Sequence, residues 1–128
     1  MTKQGRIVIH NGVHPWPHEI KTAEALSNDG HTVVFISKSE IKHEKSADIF
    51  LDDIAYEMKS PTSSRLSAIE RNIKKAMSQS MNIIFDSKRM KNVKDSQVLH
   101  ELKKQLGNNR KIESLLFVDK KRRVHKLK

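Results

Sequence analysis

The chain has 128 residues, 25 Lys and Arg against 15 Asp and Glu, a formal net charge of +10, and no cysteine. That length supplies one small core, so residues 1–128 are expected to form a single domain. The lack of Cys excludes a disulfide scaffold, a thiolate zinc site and a cysteine nucleophile, and no apolar run approaches the ~18 residues of a membrane span.

Arg6-Ile7-Val8-Ile9-His10 reads as a short strand that stops at Asn11-Gly12. Pro15-Trp16-Pro17 opens a helix, because a proline is tolerated in a first turn whose N–H groups have no partner anyway. This helix is expected to run to about Asn28 and to end at Gly30. The β-branched and aromatic run Thr32-Val33-Val34-Phe35-Ile36 is the pattern of a strand covered on both faces. Asp48 to Leu51 and Ala55 to Lys59 form a hairpin turned at Asp52-Asp53. After Pro61, Thr62 or Ser63 can cap a helix whose apolar face is Leu66, Ile69, Ile73, Ala76 and Met77. Asn82 to Asp86 is a further strand, Asp95 caps a helix carrying Val98, Leu99, Leu102 and Leu106, and Ser114–Val118 with Arg123–Leu127 close the chain as a hairpin. The order β-α-β-β-β-α-β-α-β-β predicts an α+β fold: an antiparallel or mixed sheet packed by about three helices.

The charge is concentrated at one end. Residues 1–85 hold 11 basic and 10 acidic groups, whereas residues 86–128 hold 14 and 5. A solvated surface would spread the excess; a face that collects phosphates concentrates it. Lys88, Arg89, Lys91, Lys120, Lys121, Arg122 and Arg123 fall in loops that would form one rim if their two strands are neighbours.

The segment richest in chemistry is Asp48 to Lys59. Alternate strand residues share a face, so Tyr56 and Met58 facing the core would leave Glu57 and Lys59 together on the open face. On spacing alone that pair reads as an ordinary surface ion pair. Asp48 on the neighbouring strand, and the hydroxyls and Arg of Ser60-Pro61-Thr62-Ser63-Ser64-Arg65, turn it toward phosphate chemistry.

Two resemblances follow from these residues. Asp48 with Glu57-x-Lys59 resembles the PD-(D/E)xK nucleases, in which Asp and Glu hold Mg²⁺ and Lys orients a water, although Ser46-Ala47 rather than Pro precedes Asp48. A longer stretch is similar to the C-terminal tRNase domain of contact-dependent growth-inhibition (CdiA-type) proteins. It comprises Tyr56-Glu57-Met58-Lys59-Ser60-Pro61, Gln79-Ser80-Met81-Asn82-Ile83-Ile84-Phe85-Asp86 with Arg89, and the closing basic hairpin. Met58 stands where that family usually has Ile, and Thr62-Ser63-Ser64 replaces a glycine-containing segment. The resemblance implies a ribonuclease fold of the barnase–EndoU–colicin–RelE type. It also implies a toxin cutting RNA, foremost tRNA, by attack of the 2′-hydroxyl, with no metal or other cofactor.

Under that resemblance Glu57 and His18, with Glu19 beside it, would transfer protons, and Lys59 would stabilise charge on the phosphate. Ser60, Thr62, Arg65, Arg89, Lys121, Arg122 and Arg123 would hold the RNA, with Asp48, Gln79, Asp86 and His125 as accessory groups. An acidic immunity protein would cover the basic face. The domain would act in the bacterial cytoplasm, delivered there if it belongs to a larger secreted toxin, with no membrane insertion of its own. Two other readings stay open: a metal-dependent DNase built on Asp48, Glu57 and Lys59, and a nucleic-acid-binding module without turnover. Trp16 could stack a base, or pack on the core as the first helix's anchor. His10, His14 and His18 recur every four residues, but a strand, a turn and a proline-broken helix start separate them.

Overall fold

The structure, a computed structural model, describes residues 5–37 and 47–128. Its elements are β1 (Arg6–Val8), α1 (Pro17–Asn28), β2 (Thr32–Phe35), β3 (Ile49–Leu51), β4 (Ile54–Lys59), α2 (Ser67–Met77), β5 (Asn82–Asp86), α3 (Asp95–Asn108), β6 (Ser114–Val118) and β7 (Val124–Lys126). The expected order holds throughout. Asp52 and Asp53 take φ of 49° and 71°, the left-handed pair that reverses a tight hairpin between β3 and β4. Gly30, at φ 101°, ends α1 in a conformation a side chain would oppose.

Neighbouring strands follow chain order from β1 to β7. The sheet is mixed: β1–β2, β4–β5 and β5–β6 are parallel, and the other three pairings are antiparallel. Of the two expected arrangements, antiparallel or mixed, the sheet takes the mixed one. Parallel neighbours need a long crossover, and α1, α2 and α3 supply one for each parallel pair.

Helices cover both faces of the sheet. On one face Ala23 and Leu26 of α1 pack with Val33, Phe35, Ile49, Leu51, Tyr56, Ile84 and Leu116. On the other, Ile69 and Ile73 of α2 and Val98 and Leu102 of α3 pack with Ile83, Phe85, Leu115 and Phe117. The unbroken apolar stretch of β5 is thus buried on both sides, as a central parallel strand should be. In β2 only Val33 and Phe35 are buried, while Thr32 and Val34 stay half-exposed; the expectation of two covered faces fails there because α1 packs on one face alone.

Two expected caps are corrected. α2 starts only at Ser67, where Ala68 and Ile69 first reach the core, and the Ser63 hydroxyl instead accepts the Arg65 N–H at 3.1 Å. Asp95 is the first residue of α3, not its cap. Its carboxylate accepts from the Ser87 hydroxyl at 2.7 Å and the Lys120 N–H at 3.0 Å. The capping contact is made by Gln97, whose Oε1 accepts the Lys94 N–H at 3.0 Å. Among the described residues no helix is long and apolar enough to cross a membrane.

Candidate active site

β4 changes partner along its length. Ile54–Tyr56 pair with β3, whereas Glu57–Lys59 pair with β5. At the changeover the Asp48 N–H donates to the Tyr56 carbonyl at 3.0 Å, and Asp48 Oδ2 accepts the Met58 N–H at 2.9 Å. A carboxylate thus takes the place of a ladder carbonyl, because β3 ends where β4 continues. One position beyond the Ile49–Tyr56 pair, Asp48 comes to lie opposite Glu57.

Glu57 is 5% exposed. Its Oε2 lies 3.2 Å from Lys59 Nζ, while no donor among the described residues reaches its buried Oε1. Burial is the main force pushing the Glu57 carboxyl up to about 7, helped by the Asp48 charge and a shared hydrogen bond with Asp48; the Lys59 ammonium pulls the other way. The Glu57–Lys59 pair is therefore not the open-face pair expected, because both side chains point toward the side covered by α2. Two facing carboxyls, one holding a proton near neutrality, form an arrangement that a divalent cation would relieve by displacing that proton. The unpartnered Oε1 fits such a ligand role. Mg²⁺ commonly takes one or two carboxylates and fills its other positions with water and substrate phosphate, so this pair suffices.

The other sequence-derived residues fall into three places. His18 and Glu19, in the first turn of α1, line a hollow of about 30 Å³ with Thr22, Met58 and Ser60, and the buried Ser60 hydroxyl has no partner there among the described residues. Strand alternation puts Met58 and Ser60 on the α1 side and Glu57 and Lys59 on the α2 side, so His18 is not brought onto the face of Glu57. Glu19 also lines a larger cleft, of about 340 Å³, with Asp48 and Trp16.

The second place is the carboxyl ends of β5 and β6. Asp86 is 2% exposed and is held by both guanidinium nitrogens of Arg122 at 2.9 and 2.8 Å, by the Thr22 hydroxyl at 2.5 Å and by the Lys88 N–H at 2.8 Å. Arg122, expected on RNA, is thus engaged within the fold. His125 Nε2 lies 2.8 Å from Asp119 Oδ2, and its ring stacks on Phe117 at 5.5 Å. Burial works against ionising Asp119, but the hydrogen bonds from His125, Arg123 and Lys121 outweigh it and hold the carboxyl below its usual range.

The third is the basic rim. Lys88 Nζ donates to the Lys120 carbonyl at 3.3 Å, and Lys120 Nζ to the Val93 carbonyl at 2.6 Å, so the two basic loops are joined as expected from neighbouring strands. Lys121 and Arg123 are exposed and Arg89 is half-buried, and their side chains have no such tether among the described residues. Thr62 and Arg65 are exposed and Gln79 half-buried. Among the described residues no three His, Asp or Glu converge as a metal group, so the His10, His14, His18 trio does not assemble.

The Asp86–Arg122 bond was not legible in the sequence, since 36 residues separate the partners; the only signal was an Asp at the end of a buried strand in a chain rich in basic residues. A family model described as the contact-dependent growth inhibition CdiA C-terminal domain matches residues 45–124. The fold is similar to a solved CdiA-CT/CdiI toxin and immunity complex from Burkholderia pseudomallei, with TM-score 0.68 and 15% identity, covering 97% of this chain and 99% of that one. No curated protein matches the sequence.

Proposed function

The chain belongs to the family of contact-dependent growth inhibition CdiA C-terminal domains, and from that membership we propose that residues 1–128 act as one nuclease toxin domain whose centre is Asp48, Glu57 and Lys59. The observation that carries the reading is Glu57: a carboxyl opposite Asp48, paired with Lys59, with one buried oxygen left over. A surface ion pair would have no reason to be buried with an unsatisfied oxygen, because that costs about 1–3 kcal/mol.

Asp48 and Glu57 are the residues that would hold a divalent cation. The cation supplies Lewis acidity toward the phosphate and the attacking water. Lys59 donates toward that water and toward the negative charge growing on the phosphate oxygens, from a position fixed by Glu57 Oε2. In that hydrolysis the water's oxygen would bond to phosphorus and its proton would pass to solvent, while the bond to the leaving sugar oxygen breaks and that oxygen takes a proton back from solvent. Before any of this Glu57 gives up its own proton, which ties turnover to pH near 7.

RNA, and tRNA in particular, is the proposed substrate. The centre is recessed, so the strand that reaches it must be locally unpaired, as in RNA loops. Arg89, Lys121 and Arg123 on the rim would hold flanking phosphates, and an acidic immunity protein would cover the same rim in the producing cell. The site of action is then the cytoplasm of a target bacterium.

A second reading is favoured by one observation. A carboxyl that titrates near neutrality also suits proton transfer to and from a 2′-hydroxyl without metal. The face on which His18 lies supplies no partner for it there, which is why the first reading leads. Incubating the protein with total RNA and with plasmid DNA tests the proposal. Cut RNA and intact DNA, with RNA cleavage lost in Asp48→Asn, is the expected result; cut DNA alone would make this a DNase, and binding without cleavage of either would make it a non-catalytic module.

A further inference from the structure

Trp16 is the most exposed large apolar side chain among the described residues, at 68%. It does not pack on the core as an anchor. Its backbone is nevertheless pinned from both directions: the carbonyl accepts the Glu19 and Ile20 N–H groups at 2.9 and 3.1 Å, and its own N–H donates to Glu19 Oε1 at 2.8 Å. Pro15 and Pro17 restrict the chain on either side. An indole held outward on a fixed backbone gives up little entropy when something stacks on it.

Trp16 forms one wall of the cleft of about 340 Å³ whose lining also includes Val13, Phe35 and Asp48. The cleft therefore joins an aromatic face and an apolar wall to one half of the acidic pair. We infer that it takes one unpaired nucleobase of the substrate, stacked on Trp16, with the strand continuing past Asp48 at the cleft's edge. The inference rests on the nuclease reading for the identity of the ligand, but its test needs no turnover. An unpaired base matches every feature of the cleft: it has a flat π face for the indole, ring edges for the polar groups, and a strand backbone that continues past Asp48.

Trp16 is the sole tryptophan, so emission excited at about 295 nm, where Tyr56 absorbs little, reports this cleft alone. The probe is a nuclease-resistant single-stranded RNA (2′-O-methyl, phosphorothioate) and an abasic oligomer with the same backbone charge. Saturable quenching by the RNA and little or none by the abasic oligomer is expected, while both still bind the basic rim in a mobility-shift assay. Trp16→Ala should weaken RNA binding by roughly 5- to 150-fold, the range that base stacking on an aromatic commonly covers, and leave abasic binding unchanged; Trp16→Phe should recover most of the loss. Equal quenching by both oligomers would overturn the subsite, as would unchanged emission while RNA is bound; emission that responds only to an immunity protein would assign Trp16 to a protein interface instead. If the quenching appears but no RNA is ever cut, the subsite stands and the nuclease reading fails.

Discussion

Glu57 lies opposite Asp48 where β4 leaves β3 for β5, and burial together with the neighbouring Asp48 carboxyl keeps a proton on Glu57 to about pH 7. This one relationship links the fold to the chemistry. The strand must change partners to remain in a sheet that is antiparallel on one side and parallel on the other, and the change leaves a gap in the ladder that Asp48 fills.

The first prediction follows from that proton. The Glu57 carboxyl moves from its ordinary 4.5 to about 7 on folding, so between these values the native state binds more protons than the unfolded chain. Stability therefore falls as pH rises through this window and levels off above it. Glu57→Gln keeps a hydrogen-bond donor facing Asp48 and removes the titration. Denaturant melts should show the variant close to wild type near pH 4.5 and more stable at pH 8, by on the order of 1–3 kcal/mol. A wild-type profile parallel to that of the variant would mean that Glu57 is ionised throughout.

Lys59 has two tasks, and its removal should separate them. Lys59→Ala should slow cleavage by about 10²–10³-fold, as loss of one preorganised donor does. It should also move the acid limb of the pH–rate profile upward, because the ammonium now restrains the Glu57 carboxyl. An unmoved limb with near wild-type rate would show that Lys59 only pairs with Glu57.

The basic hairpin divides into structural and free charges. Arg122→Ala would leave the buried Asp86 without its guanidinium and should lower stability by about 2–3 kcal/mol in chemical denaturation. Melting midpoints equal to wild type would show that Thr22 and Lys88 alone satisfy Asp86.

Lys121→Ser with Arg123→Ser should leave stability unchanged, since exposed charges contribute little. It should flatten the dependence of log K on log[salt] by about 1–1.5, at roughly 0.7 per phosphate contact for single-stranded RNA. The affinity of a non-cleavable RNA at several salt concentrations gives the slope. Identical slopes would assign these two residues to the immunity partner or to solubility.

Much of the fold could be read from the chain because its signals are local. The Asp52-Asp53 turn, the proline-opened α1 and the apolar stretch of β5 each fix an element within a few residues. Strand direction is not local: β4, β5 and β6 are parallel because α2 and α3 carry the chain back across the sheet between them. The same limit applies to the site. Glu57 and Lys59 were visible as a spaced pair, but their burial depends on α2 packing over them, and the capture of Arg122 by Asp86 depends on β5 and β6 ending side by side. Asp95 misled for a related reason: its carboxylate serves Ser87 and the distant Lys120 N–H instead of its own helix.

The most direct measurement is cleavage of RNA in excess EDTA and again after Mg²⁺ is restored, with the cut ends identified. The account predicts no cleavage in EDTA, recovery with Mg²⁺, and ends free of 2′,3′-cyclic phosphate, because a water and not the 2′-hydroxyl attacks. Raising Mg²⁺ should also shift the acid limb of the rate profile to lower pH, as the cation competes with the proton on Glu57. Undiminished cleavage in EDTA leaving 2′,3′-cyclic phosphate would contradict it and make Glu57 a proton-transfer group acting without metal.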